Sequence, residues 1–299
     1  MSKTPVFRGT APALVTPFTE NGEKVDEAAF RRLIDFQIEG GVEALVVLGT
    51  TGENPTVTEA ERERITALCI EHTAGRVPVV AGTGTNATAQ SVAFSKAAAD
   101  MGADGLLVVG PYYNKPSGAG FRRHVEAIAE ATDCPIILYN VPGRTGRNVL
   151  AETTLDIAEG VPSVVGMKEA SADLNQIADI LAHRPDGFAV YSGDDDLTVP
   201  MLALGADGLV SVACNALPKA VSDLVRAGLA EDFVEARRLH FRLLPALRAS
   251  FFESNPAPIK AVLAEQGITG EALRLPLVAV EGAVRERVLA AYRPLLGDA

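Results

Sequence analysis

The sequence predicts an α/β protein, namely a (β/α)8 TIM barrel with a C-terminal helical appendage. Eight apolar, β-prone runs recur along the first part of the chain, and from the second run onward their starts lie 20 to 34 residues apart. Near-continuous apolar strands indicate a sheet that is covered by helices on both faces. Eight such units within 229 residues fit a closed barrel, which takes roughly 250 residues. A doubly wound open sheet is the alternative that this pattern leaves open.

The strands and helices follow one another along the chain. Segments with helical periodicity, such as DEAAFRRLIDFQIEG and TEAERERITALCIEHTAG, fill the intervals between the apolar runs. The predicted strands are, in order, TAPALVTPF from Thr10, ALVVLGT from Ala44, PVVAGTG from Pro78, GLLVVGP from Gly105, PIILYNV from Pro135, VVGMKEA from Val164, FAVYSGD from Phe188 and GLVSVAC from Gly208.

The pattern changes at residue 230, after which helical segments occur without strands. We therefore expect a catalytic barrel over residues 1–229 and a helical region over residues 230–299. A broad apolar face in the first of these helices predicts packing against the barrel or against another subunit. Its members are Leu239, Phe241, Leu243, Leu244 and Leu247.

Composition limits the possible partners and the compartment. The 299 residues carry a formal net charge of −11, which disfavours nucleic acid and anionic membrane surfaces and favours a small soluble substrate. The sequence contains no apolar stretch of the roughly 18 residues that a membrane span needs and no signal-peptide pattern at its start. Cys69, Cys134 and Cys214 form neither a disulfide framework nor a zinc motif, so we expect three buried thiols in the cytoplasm.

Function in such a barrel lies at the carboxyl ends of the strands, and there the sequence supplies many hydroxyl groups and one lysine, Lys168. Period-2 alternation places Val164, Gly166 and Lys168 on one strand face and Glu169 on the other. If Lys168 points into the barrel, burial lowers its pKa and frees the amine to attack carbonyl groups. A structural lysine paired with a carboxylate is the alternative.

Other strand-end residues could assist such an amine. Tyr139 ends the preceding strand on the same face as Ile137, and its phenol could move a proton, although packing alone would also explain it. Thr50 is predicted on the face of Val46 and Leu48, as the next hydroxyl of a proton chain. Arg144, in the loop NVPGRTGRN, could hold a substrate carboxylate, or it could be a solvated loop arginine.

No cofactor or metal is expected. The stretch AGTGTN lacks the third glycine of a dinucleotide fingerprint. Asp194, Asp195 and Asp196 have no histidine or second acidic cluster beside them, so they predict an acidic cap for the following helix, LTVPMLALG, rather than a metal site.

Five motifs, in matching order and spacing, resemble the dihydrodipicolinate synthase and N-acetylneuraminate lyase superfamily over essentially the whole chain. Within this superfamily, the motif YNVPGRTG with its arginine resembles the synthase branch. The motifs are GTTGE at residues 49–53, GPYYNKP at 110–116, YNVPGRTG at 139–146, GMKEAS at 166–171 and SGDD at 192–195.

The resemblance implies a cofactor-free reaction between pyruvate and L-aspartate 4-semialdehyde, in a homotetramer built from two tight dimers. It also implies roles for individual residues. Lys168 would form the Schiff base, and Tyr139 would transfer protons with Thr50 and a Tyr113 that enters the neighbouring subunit's site. Thr51 would bind the pyruvate carboxylate with the Val210 backbone nearby, and Arg144 would bind the aldehyde's carboxylate. Gly193 would be a further substrate-binding residue.

Two other functions stay open at this point. A 2-keto-3-deoxy sugar acid aldolase or a sialic acid lyase would use the same Lys168 and Tyr139 with another aldehyde. A catalytically silent barrel that binds keto acids is a possibility of a different class, and the intact set of Lys168, Tyr139 and Thr50 argues against it.

The resemblance also bears on feedback inhibition by lysine, which sensitive family members bind at the dimer interface. Glu59 and Arg62 stand where imidazoles would be expected in that pocket, and Gln90 stands where a carboxylate would meet the inhibitor's ammonium. Asn86 and Tyr112 match the pattern. We therefore expect weak or absent inhibition by lysine.

Overall fold

The structure, a computed structural model, describes residues 3–298 and confirms the predicted barrel. Its eight parallel strands are hydrogen-bonded in the order β1-β8-β7-β6-β5-β4-β3-β2. A parallel bridge between Ala13 and Val46 joins the two ends of this sheet and closes the barrel. The strands are β1 (Gly9–Pro12), β2 (Leu45–Val47), β3 (Val79–Gly82), β4 (Gly105–Val109), β5 (Ile136–Asn140), β6 (Val164–Glu169), β7 (Ala189–Ser192) and β8 (Gly208–Ser211).

Helices follow the strands and surround the barrel, as the spacing of the apolar runs predicts. They are α1 (Glu27–Glu39), α2 (Glu59–Thr73), α3 (Thr88–Asp100), α4 (Gly118–Ala129), α5 (Pro142–Thr145), α6 (Ala151–Gly160), α7 (Leu174–His183), α8 (Thr198–Ala203), α9 (Pro218–Leu229), α10 (Phe233–Ala249), α11 (Ala257–Glu265) and α12 (Gly282–Tyr292).

Alternation along the strands sorts their side chains into two layers. One layer fills the barrel, and the other packs between the sheet and the helices. Phe7 stacks on the Tyr191 ring with 4.3 Å between ring centroids, and the Tyr191 hydroxyl donates to the Phe7 carbonyl at 2.6 Å. The inner layer includes Val46, Val80, Leu107, Ile137, Tyr139, Tyr191 and Val210.

Strand β6 departs from the predicted alternation at one point. The pairing register between β5 and β6 shifts between Ile136 and Ile137, which leaves an extra residue in β6. Val164 therefore packs in the outer layer, and the prediction that it shares the face of Lys168 is wrong. The alternation from Gly166 onward is as predicted.

The helices after residue 230 pack against the barrel's own helices. Leu239, Leu243 and Leu247 are buried in the same core as the barrel residues, as the apolar face of α10 predicts. Phe241 differs, since it is 65% exposed. A boundary between residues 229 and 230 falls between α9 and α10, and the division into two domains stays a prediction.

Cysteines and membrane spans can be compared with the sequence. Cys69, Cys134 and Cys214 are free thiols, and Cys69 and Cys214 are buried as expected. Cys134 is only partly buried, so that part of the prediction is wrong. Across residues 3–298, no helix has both the length and the apolar character that a membrane crossing requires.

Candidate active site

Lys168 and Tyr139 lie side by side at the centre of the barrel. They are register partners on β6 and β5, and Lys168 Nζ lies 4.3 Å from the centroid of the Tyr139 ring. Both side chains are nearly buried, with 5% and 6% of their surface exposed. Glu169 points away from the barrel, as alternation predicts, and contacts Asn140 and Gln176. An amine and a phenol therefore share one enclosed space.

Gly193 packs directly against the lysine side chain. Its backbone N–H donates to the Glu169 carbonyl at 2.7 Å. A Cβ atom at this position would lie 2.7 Å from Ala170 Cβ and 3.1 Å from Lys168 Cε. The glycine thus leaves room beside the lysine that any other residue would fill.

The threonine pair follows β2 in a short 3-10 turn, Thr50–Gly52. Leu48 has φ of 57° and packs in the outer layer beside Val47. The prediction that Leu48 and Val46 share a face with Thr50 is therefore wrong, because the left-handed backbone at Leu48 ends the alternation. Thr51 is buried, and its Oγ1 accepts a hydrogen bond from Asn255 Nδ2 at 2.9 Å.

A buried ion pair that the sequence analysis did not predict lies at the end of this turn, because Glu53 directly follows it. The Lys260 ammonium in α11 donates to the carboxylate of Glu53, and both side chains are fully buried. Glu53 also accepts the backbone N–H of Arg274 at 3.2 Å. Burial lowers the pKa of Lys260 to about 8, and the Glu53 charge opposes this shift. The available signal was a single lysine inside the apolar run PIKAVL.

Arg144 lies on the exposed short helix α5, directly after β5. Its Nη2 donates to the Asn255 carbonyl at 3.2 Å. Asn255 thus contacts both Thr51 and Arg144, which brings two residues of the predicted site to the same segment. The C-terminal helical region therefore forms part of the site's surroundings, which the sequence did not predict.

The acidic stretch after β7 has a further role besides its predicted place at the start of a helix. Asp195 is buried and accepts hydrogen bonds from the Ser211 hydroxyl and from the backbone N–H groups of Val212 and Ala213. Asp195 and Asp196 lie in the first turn of the 3-10 helix Asp195–Leu197 that leads into α8, so acidic residues precede the helix as predicted. No side chain caps either helix, so that part of the prediction is wrong. The N–H groups of Val212 and Ala213 belong to the loop after β8, which is distant from Asp195 in sequence. Only the tertiary fold brings the loop close to the carboxylate.

Two carboxyl groups near the lysine have shifted acidities. Burial raises the pKa of Asp194 to about 6, against the lowering effect of the Lys168 charge. Burial also raises the pKa of Glu169, while hydrogen bonds from Asn140, Ser171 and Gln176 act in the opposite direction. Within residues 3–298, no three histidine, cysteine or acidic side chains cluster as metal ligands would.

The remaining predicted site residues lie in two different settings. Val210 is buried on β8 in the inner layer that also contains Tyr139. Tyr113 lies in the loop after β4 with φ of 70°, and its side chain is 89% exposed. Among the described residues, its hydroxyl has no hydrogen-bond partner.

A sizeable cavity lies outside the barrel centre. It measures about 600 Å³ and lies between α4 and α6, where Phe121, Arg122, Arg147 and Asp156 are among its lining residues. Arg122 is engaged there by Glu126 and Asp156. The groups suited to reaction with a carbonyl compound are instead the amine of Lys168 and the phenol of Tyr139 at the barrel centre.

Together, the closed barrel and the amine beside a phenol at its centre define a class of enzyme, the barrel lyases that act on carbonyl compounds. The profile of the dihydrodipicolinate synthetase family matches residues 6–293. This chain belongs to that family.

Curated relatives and solved structures agree with this membership. A 4-hydroxy-tetrahydrodipicolinate synthase from Salinibacter ruber is 62% identical over 298 residues, which cover 99% of this chain and 98% of that protein. The crystal structure of a dihydrodipicolinate synthase from Thermotoga maritima has a TM-score of 0.95 at 43% identity and covers 97% of this chain and 99% of that one. The enzyme from Aquifex aeolicus gives a TM-score of 0.94 at 40% identity, with 96% and 98% covered.

Proposed function

We propose that this chain is a lyase that catalyses the 4-hydroxy-tetrahydrodipicolinate synthase reaction of diaminopimelate and lysine biosynthesis. It condenses pyruvate with L-aspartate 4-semialdehyde. The observation that carries the proposal is the Lys168 amine held 4.3 Å from the Tyr139 ring at the barrel centre. The 62% identity to the Salinibacter ruber synthase supports the same reaction.

Lys168 is the nucleophile of the proposal. Its amine attacks the keto carbon of pyruvate, and loss of water from the carbinolamine gives an imine. Loss of a methyl proton gives an enamine, whose carbon attacks the aldehyde carbon. The amine of the semialdehyde then displaces Lys168 from the imine carbon, which closes the ring and frees the enzyme. No cofactor is needed, because the protonated imine itself accepts the electron pair.

The hydroxyl groups around Lys168 transfer the protons of these steps. Tyr139, whose ring lies beside the amine, is the donor and acceptor, and Thr50 with Tyr113 completes the relay. Pyruvate's carboxylate binds at Thr51 and near the Val210 backbone, while Gly193 leaves the space beside Lys168. The Asn255 amide supports the role of Thr51: since it donates to Thr51 Oγ1, the hydroxyl's own proton stays available for a carboxylate.

Arg144 binds the carboxylate of the semialdehyde. A guanidinium holds a carboxylate through two parallel hydrogen bonds, which fixes the aldehyde's orientation as well as its position. The contact between Arg144 and the Asn255 carbonyl supports this role, because it ties the arginine to the segment that also holds Thr51.

The assembly of the proposal is a homotetramer of two tight dimers, in the cytoplasm. The 89% exposure of Tyr113 supports it, since a relay tyrosine this exposed in its own chain fits a site in a neighbouring copy. Leu174 and Leu204 are further exposed apolar side chains that an interface would cover. The three free cysteines suit a reducing compartment. Light scattering of the purified chain measures the assembly directly.

Reductive trapping tests the reaction. Incubation with pyruvate and borohydride should add one reduced pyruvate per chain at Lys168, because reduction turns the imine into a stable secondary amine. Lys260 is another buried lysine and serves as an internal comparison, so peptide mapping that finds the adduct there would contradict the assignment. Lys168→Ala should abolish the adduct and keep the circular dichroism spectrum. Consumption of aspartate semialdehyde only with pyruvate separates this function from the sugar acid aldolases and lyases.

A further inference from the structure

The loop that carries Arg144 has little structure of its own. Residues 141–149 contain only the four-residue helix α5, closed by hydrogen bonds from the N–H groups of Arg144 and Thr145 to the Val141 carbonyl. A single helical turn is not stable in isolation, because fixing its backbone costs more than its few hydrogen bonds return. Contacts from outside the loop must therefore determine where Arg144 lies.

One such contact is the Asn255 carbonyl, to which Arg144 itself donates. The contacts that hold the ends of the loop come from an amide cluster, which we define as Asn140, Asn148, Glu169 and Gln176. Asn140 ends β5 before the loop begins, and its Oδ1 accepts the N–H of Val149 at 3.0 Å, so one side chain joins the two ends of the loop. Asn140 Nδ2 donates to Asn148 Oδ1 at 2.7 Å and to both Glu169 oxygens at 3.1 Å.

Gln176 contacts the end of the loop from the helix layer. It lies on α7, outside the barrel, and its Oε1 accepts from Asn148 Nδ2 at 2.8 Å. Its Nε2 donates to the Val149 carbonyl at 3.2 Å and to Glu169 Oε2 at 3.1 Å. Gln176 is 8% exposed, so water does not readily replace these hydrogen bonds if they are lost.

We propose that Gln176 is a positioning residue for the second substrate: it holds the end of loop 141–149 so that Arg144 meets the carboxylate of the aldehyde. Gln176 acts through Asn148 and Val149, and it touches neither Arg144 nor Lys168 in the structure. This inference rests on the role of Arg144 in the proposed function.

Loss of the Gln176 amide should affect the loop end and leave the barrel strands that carry Lys168 and Tyr139 unchanged. Lys168 and Tyr139 are fixed by the strand ladder between β5 and β6, which loss of the Gln176 amide leaves intact. The loop end has no such ladder. Loss of the amide should therefore weaken use of the aldehyde and spare formation of the pyruvate imine.

The experiment compares two variants, in each of which a buried glutamine is replaced by methionine. Methionine has a similar length but cannot form the hydrogen bonds of the amide. Gln176→Met removes the contacts to the loop. Gln37→Met is the matched control, because Gln37 is also buried and donates to the Asn215 carbonyl at 2.8 Å on another side of the barrel. Gln176→Met should raise the KM for aspartate semialdehyde about ten-fold, which is what loss of one or two buried hydrogen bonds gives. Gln37→Met should leave that KM unchanged, and both variants should keep the rate of borohydride trapping with pyruvate.

Combination with Arg144→Ala distinguishes positioning from destabilisation. In that background Gln176→Met should change the aldehyde KM by less than about two-fold, because the residue that it positions is gone. Asn148→Ala is a second variant, half-buried and removed from the core, that should show the same pattern if Gln176→Met does not fold.

Two results overturn the inference and are distinguishable. If Arg144→Ala raises the aldehyde KM but Gln176→Met or Asn148→Ala does not, or if their effects multiply, the positioning role is wrong and the role of Arg144 stands. If Arg144→Ala itself leaves the aldehyde KM unchanged, the proposed role of Arg144 is wrong, and the positioning role falls with it.

Discussion

Lys168 and Tyr139 are direct register partners on neighbouring parallel strands, and Lys168 Nζ lies 4.3 Å from the centroid of the Tyr139 ring. Because evenly spaced backbone hydrogen bonds join parallel strands, two partners with inward side chains lie at the same height in the barrel. The relative position of amine and phenol is thus a property of the β5 and β6 backbone. A substitution that keeps the Tyr139 ring should keep this arrangement and change only the chemistry of the hydroxyl group.

Tyr139→Phe tests that separation. The ring remains beside the amine, but the proton donor is lost, so we expect kcat to fall by about 10²- to 10⁴-fold. Tyr191→Phe is the matched control, since Tyr191 is the register partner of Lys168 on β7 and its hydroxyl donates to the Phe7 carbonyl just before the amino end of β1, opposite the carboxyl ends of the strands where the amine reacts. That variant should lose about 1 kcal/mol of stability and retain kcat. Steady-state rates with both substrates measure the effect, and an unchanged kcat in Tyr139→Phe would remove tyrosine from the relay.

The ion pair of Glu53 and Lys260 gives a prediction about stability. Lys260→Met leaves the Glu53 carboxylate buried without its partner, which should lower the free energy of unfolding by roughly 3 to 5 kcal/mol. The double variant Glu53→Gln with Lys260→Met removes both charges and should recover much of that loss. Urea denaturation of four proteins measures it, namely the native chain, Lys260→Met, Glu53→Gln and the double variant. If the double variant is as unstable as the sum of the two single variants, the two charges do not act as a pair.

The features that the sequence predicted depend on local periodicity. Alternation over Gly166, Met167, Lys168 and Glu169 requires only that the segment be a strand, so the inward direction of Lys168 follows from the sequence. Leu48 was placed wrongly because its positive φ follows from the turn that the chain makes toward Thr50, and an ordinary leucine gives no sign of it.

Other features depend on residues that are distant in sequence. Lys260 meets Glu53 207 positions away, and Asp195 meets Val212 across a strand and a helix. Gln176 resembles any polar residue on an amphipathic helix, and only its contact with Asn148 reveals its place. Hydrogen-bond partners of this kind follow from tertiary structure and have no period in the sequence.

His124 predicts how stability depends on pH. It is buried on α4, with Nδ1 3.0 Å from Thr88 Oγ1, and among the described residues Nε2 has no partner. Burial lowers its pKa to about 4 from 6.5. The unfolded chain therefore binds a proton before the folded one does, so the stability contribution is complete above pH of about 6.5 and is lost as pH falls toward 4.

The loss should be on the order of 2 kcal/mol between these pH values, and His124→Gln should remove that part of the dependence. Urea unfolding at several pH values between neutral and acidic conditions measures both proteins. His183→Gln provides the control, since His183 is exposed and its replacement should leave the dependence unchanged. Parallel curves for the native chain and His124→Gln would contradict the prediction.

The last prediction is that lysine inhibits this enzyme weakly or not at all. Glu59, Arg62 and Gln90 line one cavity of about 270 Å³. The Arg62 guanidinium is fixed there, because it donates to the Gly82 carbonyl at 2.7 Å and lies 4.3 Å from the centroid of the Phe94 ring. Burial lowers the pKa of Arg62 to about 10, and the Glu59 charge opposes this shift. At neutral pH the Arg62 side chain in this cavity is therefore positively charged, and the negative charge of Glu59 already interacts with it.

A ligand ammonium entering this cavity would meet a fixed positive charge and, at Gln90, a neutral amide. A hydrogen bond to a neutral group in place of one to a carboxylate should weaken such a site about ten-fold. Initial rates with saturating pyruvate and rising lysine test this, and Gln90→Glu should strengthen inhibition by a similar factor, because it restores a carboxylate while leaving Arg62 in place. Half-inhibition of the native enzyme at submillimolar lysine would contradict the prediction and show that the neutral amide of Gln90 does not weaken the site.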